Sequence, residues 1–196
     1  PGILLSSAIE KYANLFGVAC GEKNVLFTNN DSAYETAISL YQKGINLEAI
    51  IDNREEIDSK LIKEAEKNNI KIYKGFTVVN TFGYKRINKI SIMQLSKDGQ
   101  KVVGSKISIA CDCLGISGGW TPAVHLFTQS GGKLKFRDED QVFIPDIYPS
   151  DQISIGSCNG DFTLDEIISS IPNKLKEFLN IKKTDYENLE IYSSFN

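Results

Sequence analysis

Residues 24–44 read "NVLFTNNDSAYETAISLYQKG". The apolar run of "NVLFT" is a short strand, and "DSAYETAISLYQKG" has helical spacing, with Ala33, Ala37, Leu40 and Tyr41 on one face. Ser32 and Glu35 stand at capping-box spacing, and Gly44 is placed to stop the helix. A strand, a tight turn and a helix in this order are where a dinucleotide fold keeps its glycine-rich phosphate loop. Here the turn is Thr28-Asn29-Asn30-Asp31-Ser32-Ala33, without a glycine. Three readings stand open: a working nucleotide turn, one that has lost its ligand, or only a strand packed on a helix.

The flanking sequence extends the pattern. "LLSSAIEKYANLFG" has Leu5, Ala8, Ile9, Tyr12, Ala13 and Phe16 at helical spacing, ended by Gly17. "LEAIID" is a second strand ending in Asp52, "SKLIKEAEKNN" a charged helix, and "IKIYKGF" a third strand. Then "TVVNTFGY", "NKISIMQLS" and "KVVGSKISIACD" follow with no helix between them, as an antiparallel meander. "CLGISGG" returns as a buried strand. The order predicts an α/β fold: a Rossmann-like parallel sheet, helices on both faces, and an antiparallel three-stranded meander.

Beyond it, Thr121 is expected to cap a helix with Pro122 at its first position and Gly131-Gly132 at its end. "LKF" and "QVFIPD" suit a hairpin, and "QISIGSCNGDFTLDEIISSIPNKLKEFL" a strand, a glycine turn and a long helix. That last strand finds no sheet within the second half, and a sheet upstream of residue 1 is its expected partner. The boundaries read as a leading helix from a preceding domain (1–17), a Rossmann-like NAD(P)-type domain with a degenerate turn (18–118), a returning segment of an NAD-binding domain (119–180) and a polar tail (181–196). The chain thus reads as a piece of a longer one.

Composition narrows the classes of function. The net charge of -3 gives no electrostatic reason to expect nucleic acid or an anionic membrane as a partner. No apolar run approaches the roughly 20 residues that span a bilayer. The four cysteines, Cys20, Cys111, Cys113 and Cys158, form no C-x-x-C pair. Cys111 and Cys113, two apart in an expected strand, should share a face as buried thiols. Free thiols suit a reducing cytoplasm.

On the G-x-G-x-x-G/A frame, Thr28 and Asn30 hold the first two glycine positions and Ala33 the third. A side chain at position 30 occupies space that a pyrophosphate needs. Asp52, 24 residues after Thr28, stands where an acid would bind a ribose, with Arg54 close by. A second candidate is "IGSCNGDFTLDE", where Gly156 and Gly160 bracket a turn whose amides could face an anion, unless Asp161 or Thr163 simply caps the helix. A third is "GISGGWTPAVH", where Gly118, Gly119 and Trp120 fit a ligand or a sharp connection equally well. His125, the single histidine, has no nucleophile in a recognisable relation to it, and no metal-ligand cluster is visible. Asp138, Glu139 and Asp140 read as a solvated turn.

"TNNDSAYETA" resembles the second nucleotide-type domain of the FAD/NAD(P)-linked flavoprotein reductases, whose turn often reads G-G-G-D-S-A. "PGILLSSAIEKYANLFGV", "VLFTNNDSAY" and above all "SGGWTPAVHLFTQSGGKLKF" resemble the alpha subunit of heterotetrameric sarcosine oxidase, over most of residues 1–165. That resemblance implies oxidative demethylation of sarcosine to glycine, with hydrogen peroxide formed and the one-carbon unit passed to tetrahydrofolate. It implies NAD in the complete subunit, with FAD and FMN in the full complex but not on this stretch. It implies beta, gamma and delta subunits as partners, no catalytic residue here, and Ser157, Phe162 and Leu164 at positions lining the nucleotide. Two other readings are a stand-alone NAD(P)H-dependent reductase using Asp52 and the turn, and a structural or docking module.

Overall fold

The computed structural model describes residues 1–149 and 152–179. Two compact units divide the chain, Pro1–Gly119 and Trp120–Asn196.

In the first unit, five parallel strands form the central sheet: β1 (Ile3–Leu5), β2 (Asn24–Thr28), β3 (Leu47–Asp52), β4 (Ile72–Lys74) and β8 (Cys113–Ser117). Their spatial order is β1-β8-β2-β3-β4. Between them run helices α1 (Ser6–Phe16), α2 (Ser32–Gln42) and α3 (Lys60–Lys67). The meander is β5 (Phe76–Gly83), β6 (Ile87–Leu95) and β7 (Val102–Ala110), paired antiparallel in that order.

The pleat explains the sequence of β2. Successive residues of a strand point to opposite faces, and a parallel sheet covered on both faces demands apolar residues at every position. Leu26 therefore joins Ile9, Tyr34, Ala37, Leu40 and Ile50 in the core under the helices. Its neighbour Val25 joins Ala49, Ile51, Ile90 and Ile92 in the core under the meander. All three helices lie on one face, so the expectation of helices on both faces is corrected. The meander covers the second face in their place, which is why Ile90 and Ile92 are fully buried.

Two further expectations change. A strand, β1, precedes the first helix. Its last residue, Leu5, is the residue before α1, not part of a helical stripe, and β8 supplies its register. Gly17 ends α1 as expected, in the left-handed conformation with its amide donating to the Tyr12 carbonyl. The cysteines do not share a face: Cys111 lies in the core under the meander and Cys113 in the core under the helices. β7 stops at Ala110 in the meander and β8 begins at Cys113 in the parallel sheet, so no two-residue alternation runs from Cys111 through Asp112. Burial, above all, pushes both thiols up to about 11. Both cysteines are free.

Asp112 has its own task. Its carboxylate accepts the amides of Lys23 at 2.8 Å and Glu22 at 3.1 Å, tying the start of β2 to the start of β8. Burial works against its charge, but those amides and Arg86 outweigh it and hold its pKa below the usual carboxylate value. A depressed folded pKa stabilises above the unfolded value, and the contribution is lost as pH falls through the folded one. Asp112→Asn is therefore expected to flatten the fall in melting temperature below about pH 4, read by circular dichroism. An unchanged acid limb would count against this tie.

The second unit holds a short helix α4 (His125–Gln129), a hairpin of β9 (Lys133–Arg137) and β10 (Val142–Ile147), a 3-10 turn at Gly156–Asn159, and α5 (Leu164–Phe178). Phe127 is its buried anchor, edge-on to Tyr148 at 5.0 Å and packed over Gly132. Thr121 caps no helix. α4 opens after Val124, which has no side-chain cap. Residues 152–155, expected as a strand, form none. The tail 181–196 lies outside the described residues.

Candidate functional site

The turn after β2 sits at the carboxyl end of the sheet, beside the ends of β3 and β8. It is closed by its own side chains. The Thr28 hydroxyl accepts the Asn30 amide at 3.0 Å and donates to the Asn30 carbonyl at 2.9 Å. The Asn30 carboxamide turns inward. Its Oδ1 accepts the Ser32 amide at 3.1 Å, the Ser32 hydroxyl at 2.5 Å and the Ser117 hydroxyl at 3.2 Å. Its Nδ2 donates to the Ser117 carbonyl at 3.0 Å. Among the described residues, positive φ outside glycine occurs only at Asn69 and Gln141, so this turn is built without the conformations glycines would supply. The expected Ser32–Glu35 capping box is absent. Asp31 is the residue before α2, without a side-chain cap, its carboxylate turned to Arg54, and the Ser32 hydroxyl faces Asn30. Ala33 is fully buried, as close helix–sheet packing requires.

Asp52 is fully engaged as well. It ends β3 with 0% exposure. Tyr34 donates its hydroxyl to Oδ2 at 2.9 Å. Arg54 grips the carboxylate with Nε to Oδ1 at 3.1 Å and Nη2 to Oδ2 at 2.9 Å, and its backbone amide adds a third bond at 2.9 Å. The other side of the guanidinium pairs with Asp31 at 2.8 Å. Burial opposes the Arg54 charge, but the two carboxylates outweigh it and raise its pKa. Burial, then the Asp52 charge and hydrogen bond, hold the Tyr34 phenol far above its ordinary value, so it stays a donor. Tyr34 and Ser117 are functional neighbours that the sequence pattern does not single out. The helical face given by periodicity contains Tyr41, which is exposed, while Tyr34 is fully buried. A tyrosine one position after the small residue of the turn, facing an acid at the next strand end, is the signal that could find it.

The expected nucleotide-lining residues of the second unit lie around the start of α5. Ser157 is exposed in the 3-10 turn, Phe162 is half-buried and Leu164 is exposed. Gly160, at φ 84, lies so close to Arg137 that a Cβ there would meet Nη2 at 2.7 Å. Thr163 caps α5 in a full capping box, and the Glu166 carboxylate accepts the Thr163 amide at 3.0 Å and the Phe162 amide at 3.2 Å. The amides of Phe162 and Thr163 are thus taken by Glu166, and the Glu166 amide donates to the Thr163 hydroxyl at 3.3 Å. Asp161 pairs with Lys174 at 2.8 Å. A hollow of about 270 Å³ opens beside Tyr148, Gln152, Ser154 and Lys174, and none of Ser157, Phe162 and Leu164 lines it.

The remaining candidates separate. Gly119 takes φ 99 where the first unit ends, and Trp120 is exposed. His125 is exposed at the start of α4. Asp140 is gripped by Arg137 at 2.7 and 2.5 Å, within a turn. No group of three potential metal ligands occurs among the described residues, and no described helix is long and apolar enough to cross a membrane.

No family model matches the chain. Curated relatives do. The chain is 31% identical over 172 residues to sarcosine oxidase subunit alpha of Corynebacterium sp. (strain P-1), a match covering 87% of this chain and 17% of that protein. It is 31% identical over 150 residues to the same subunit of Rhizobium meliloti (strain 1021), covering 74% and 13%. It thus spans about a sixth of the length of the first of these relatives. Among solved structures, the HOCl-induced flavoprotein disulfide reductase of Escherichia coli superposes with a TM-score of 0.60 at 13% identity, covering 91% of this chain and 39% of that one. The thioredoxin reductase of T. acidophilum superposes at 0.56 with 15% identity, covering 91% and 57%. In fold this chain is an α/β protein of the flavoprotein reductase type, and in sequence it belongs with a stretch of the sarcosine oxidase alpha subunit.

Proposed function

We propose that this chain serves as the reductase-like part of a sarcosine oxidase alpha subunit, contributing scaffold and subunit docking in place of catalysis. The observation that carries this reading is Asp52. The acid that a dinucleotide fold would offer to a ribose is wholly buried and held by Tyr34 and Arg54. The turn beside it does not fit a pyrophosphate, since Asn30 fills it. In the complete subunit NAD would touch Ser157, Phe162 and Leu164. The exposed Ser157 hydroxyl and Leu164 side chain and the half-buried Phe162 suit a ring or ribose, while Glu166 keeps the amides of Phe162 and Thr163 from a phosphate. The oxidation of sarcosine to glycine, with hydrogen peroxide formed and the one-carbon unit passed to tetrahydrofolate, belongs to the assembled cytoplasmic complex. Its FAD and FMN sit away from this stretch, and its beta, gamma and delta subunits are the partners.

A docking role has its own support. No side chain of α5 is fully buried, and Leu164, Ile168 and Phe178 lie exposed along it. The purified chain is expected to release no hydrogen peroxide from sarcosine and to be captured by the beta subunit on co-expression. Turnover by the chain alone would sink the non-catalytic reading, and failed capture would sink docking.

A further inference from the structure

Three donors meet at one oxygen in the turn after β2. The Ser32 amide, the Ser32 hydroxyl and the Ser117 hydroxyl all point at Asn30 Oδ1. A phosphate oxygen seated at the start of α2 would take such bonds itself. We infer that Asn30 is a resident substitute for a diphosphate ester, an intramolecular occupant that keeps this turn from taking a nucleotide. The inference rests on the non-catalytic reading above and deepens it by naming the ligand chemistry that the Asn30 carboxamide replaces.

The chemistry of the substitute fits the charges around it. A carboxamide oxygen accepts several hydrogen bonds without bringing negative charge. Asp31 and Asp52 already flank the turn, with Arg54 as the one cation shared between them. A diphosphate would add negative charge to a group that already exceeds its cation by one carboxylate. The amide satisfies the same donors at no such cost. Its Nδ2 has a place as well, donating to the Ser117 carbonyl at 3.0 Å and to Asn29 Oδ1 at 2.9 Å. The carboxamide is thus anchored at both ends, across the carboxyl ends of the paired strands β2 and β8. The Thr28 hydroxyl bonds both the amide and the carbonyl of Asn30, so the backbone that presents this side chain is fixed too.

Removal of the side chain tests the inference. Asn30→Gly frees the Ser32 amide and both serine hydroxyls and opens the space above them. NADH fluorescence titration is expected to show binding at least tenfold tighter than wild type, with Asn30→Ala moving the same way. Inorganic pyrophosphate should compete for the gained site. If both variants melt like wild type and gain no NADH binding, the occupant is refuted and the non-catalytic reading survives. Micromolar NADH binding by wild type that depends on Asp52 refutes both. Should neither variant fold, hydrogen exchange of the wild-type Asn30 carboxamide decides: protected protons support the occupant, and freely exchanging ones overturn it.

Discussion

Arg54→Ala is expected to cost the folded protein about 3 kcal/mol, seen as a lower urea midpoint at unchanged slope. The reason is Asp52. Its carboxylate has no exposed surface, and two of its bonds come from the guanidinium. Removing one partner of a buried pair leaves a charge without water and without its counter-charge, which typically costs about 3–5 kcal/mol. The lower end applies, because the Arg54 side chain is itself 32% exposed and water can follow into its place. Tyr34 and the backbone amide of residue 54 also remain. Neutralising the acid should repair much of the damage. Asp52→Asn with Arg54→Ala is therefore expected to be more stable than Arg54→Ala alone. A cost below about 1 kcal/mol, the range of exposed pairs, would show that the pair only decorates the surface.

Gly115→Val is expected to abolish cooperative folding, and Gly115→Ala to cost about 2 kcal/mol, within the range for overpacking a core. β8 lies between β1 and β2. A Cβ at Gly115 would stand 2.5 Å from Leu26 Cδ2 and 2.8 Å from Ile9 Cδ1. Leu26 is wholly buried and Ile9 nearly so, and neither can swing into solvent. Leu26→Ala on its own leaves a cavity and should cost about 2–5 kcal/mol. The two changes are coupled. With Leu26 shortened, the methyl of Gly115→Ala has space to enter, so the double variant should be more stable than Leu26→Ala alone. Simple addition of the two costs in thermal melts would argue against this packing.

Much of the fold is legible in the residues. The apolar run of β2, the stops at Gly17 and Gly44 and the uninterrupted strands of the meander follow from local pattern, and each has its structural counterpart. What escapes is what depends on distant neighbours. β1 has only three residues, and its pairing with β8 joins positions 3 and 114. The face covered by the meander instead of by helices is decided by where β5–β7 pack, which periodicity does not encode. The placement of Cys111 and Cys113 on opposite sides follows from the passage between two sheets at Asp112, which meets the amides of Glu22 and Lys23. At the candidate site, the missing glycines are plain in the sequence. That Asn30 fills the turn, and that Tyr34 and Arg54 hold Asp52, are side-chain facts beyond its reach.

Calorimetric titration of NADH into the wild-type chain decides whether the turn after β2 takes a dinucleotide. A turn occupied by Asn30, beside an acid held by Arg54 and Tyr34, predicts no heat attributable to that site and no difference between wild type and Asp52→Ala. Micromolar binding that disappears in Asp52→Ala would contradict it, and would make this turn a working dinucleotide site.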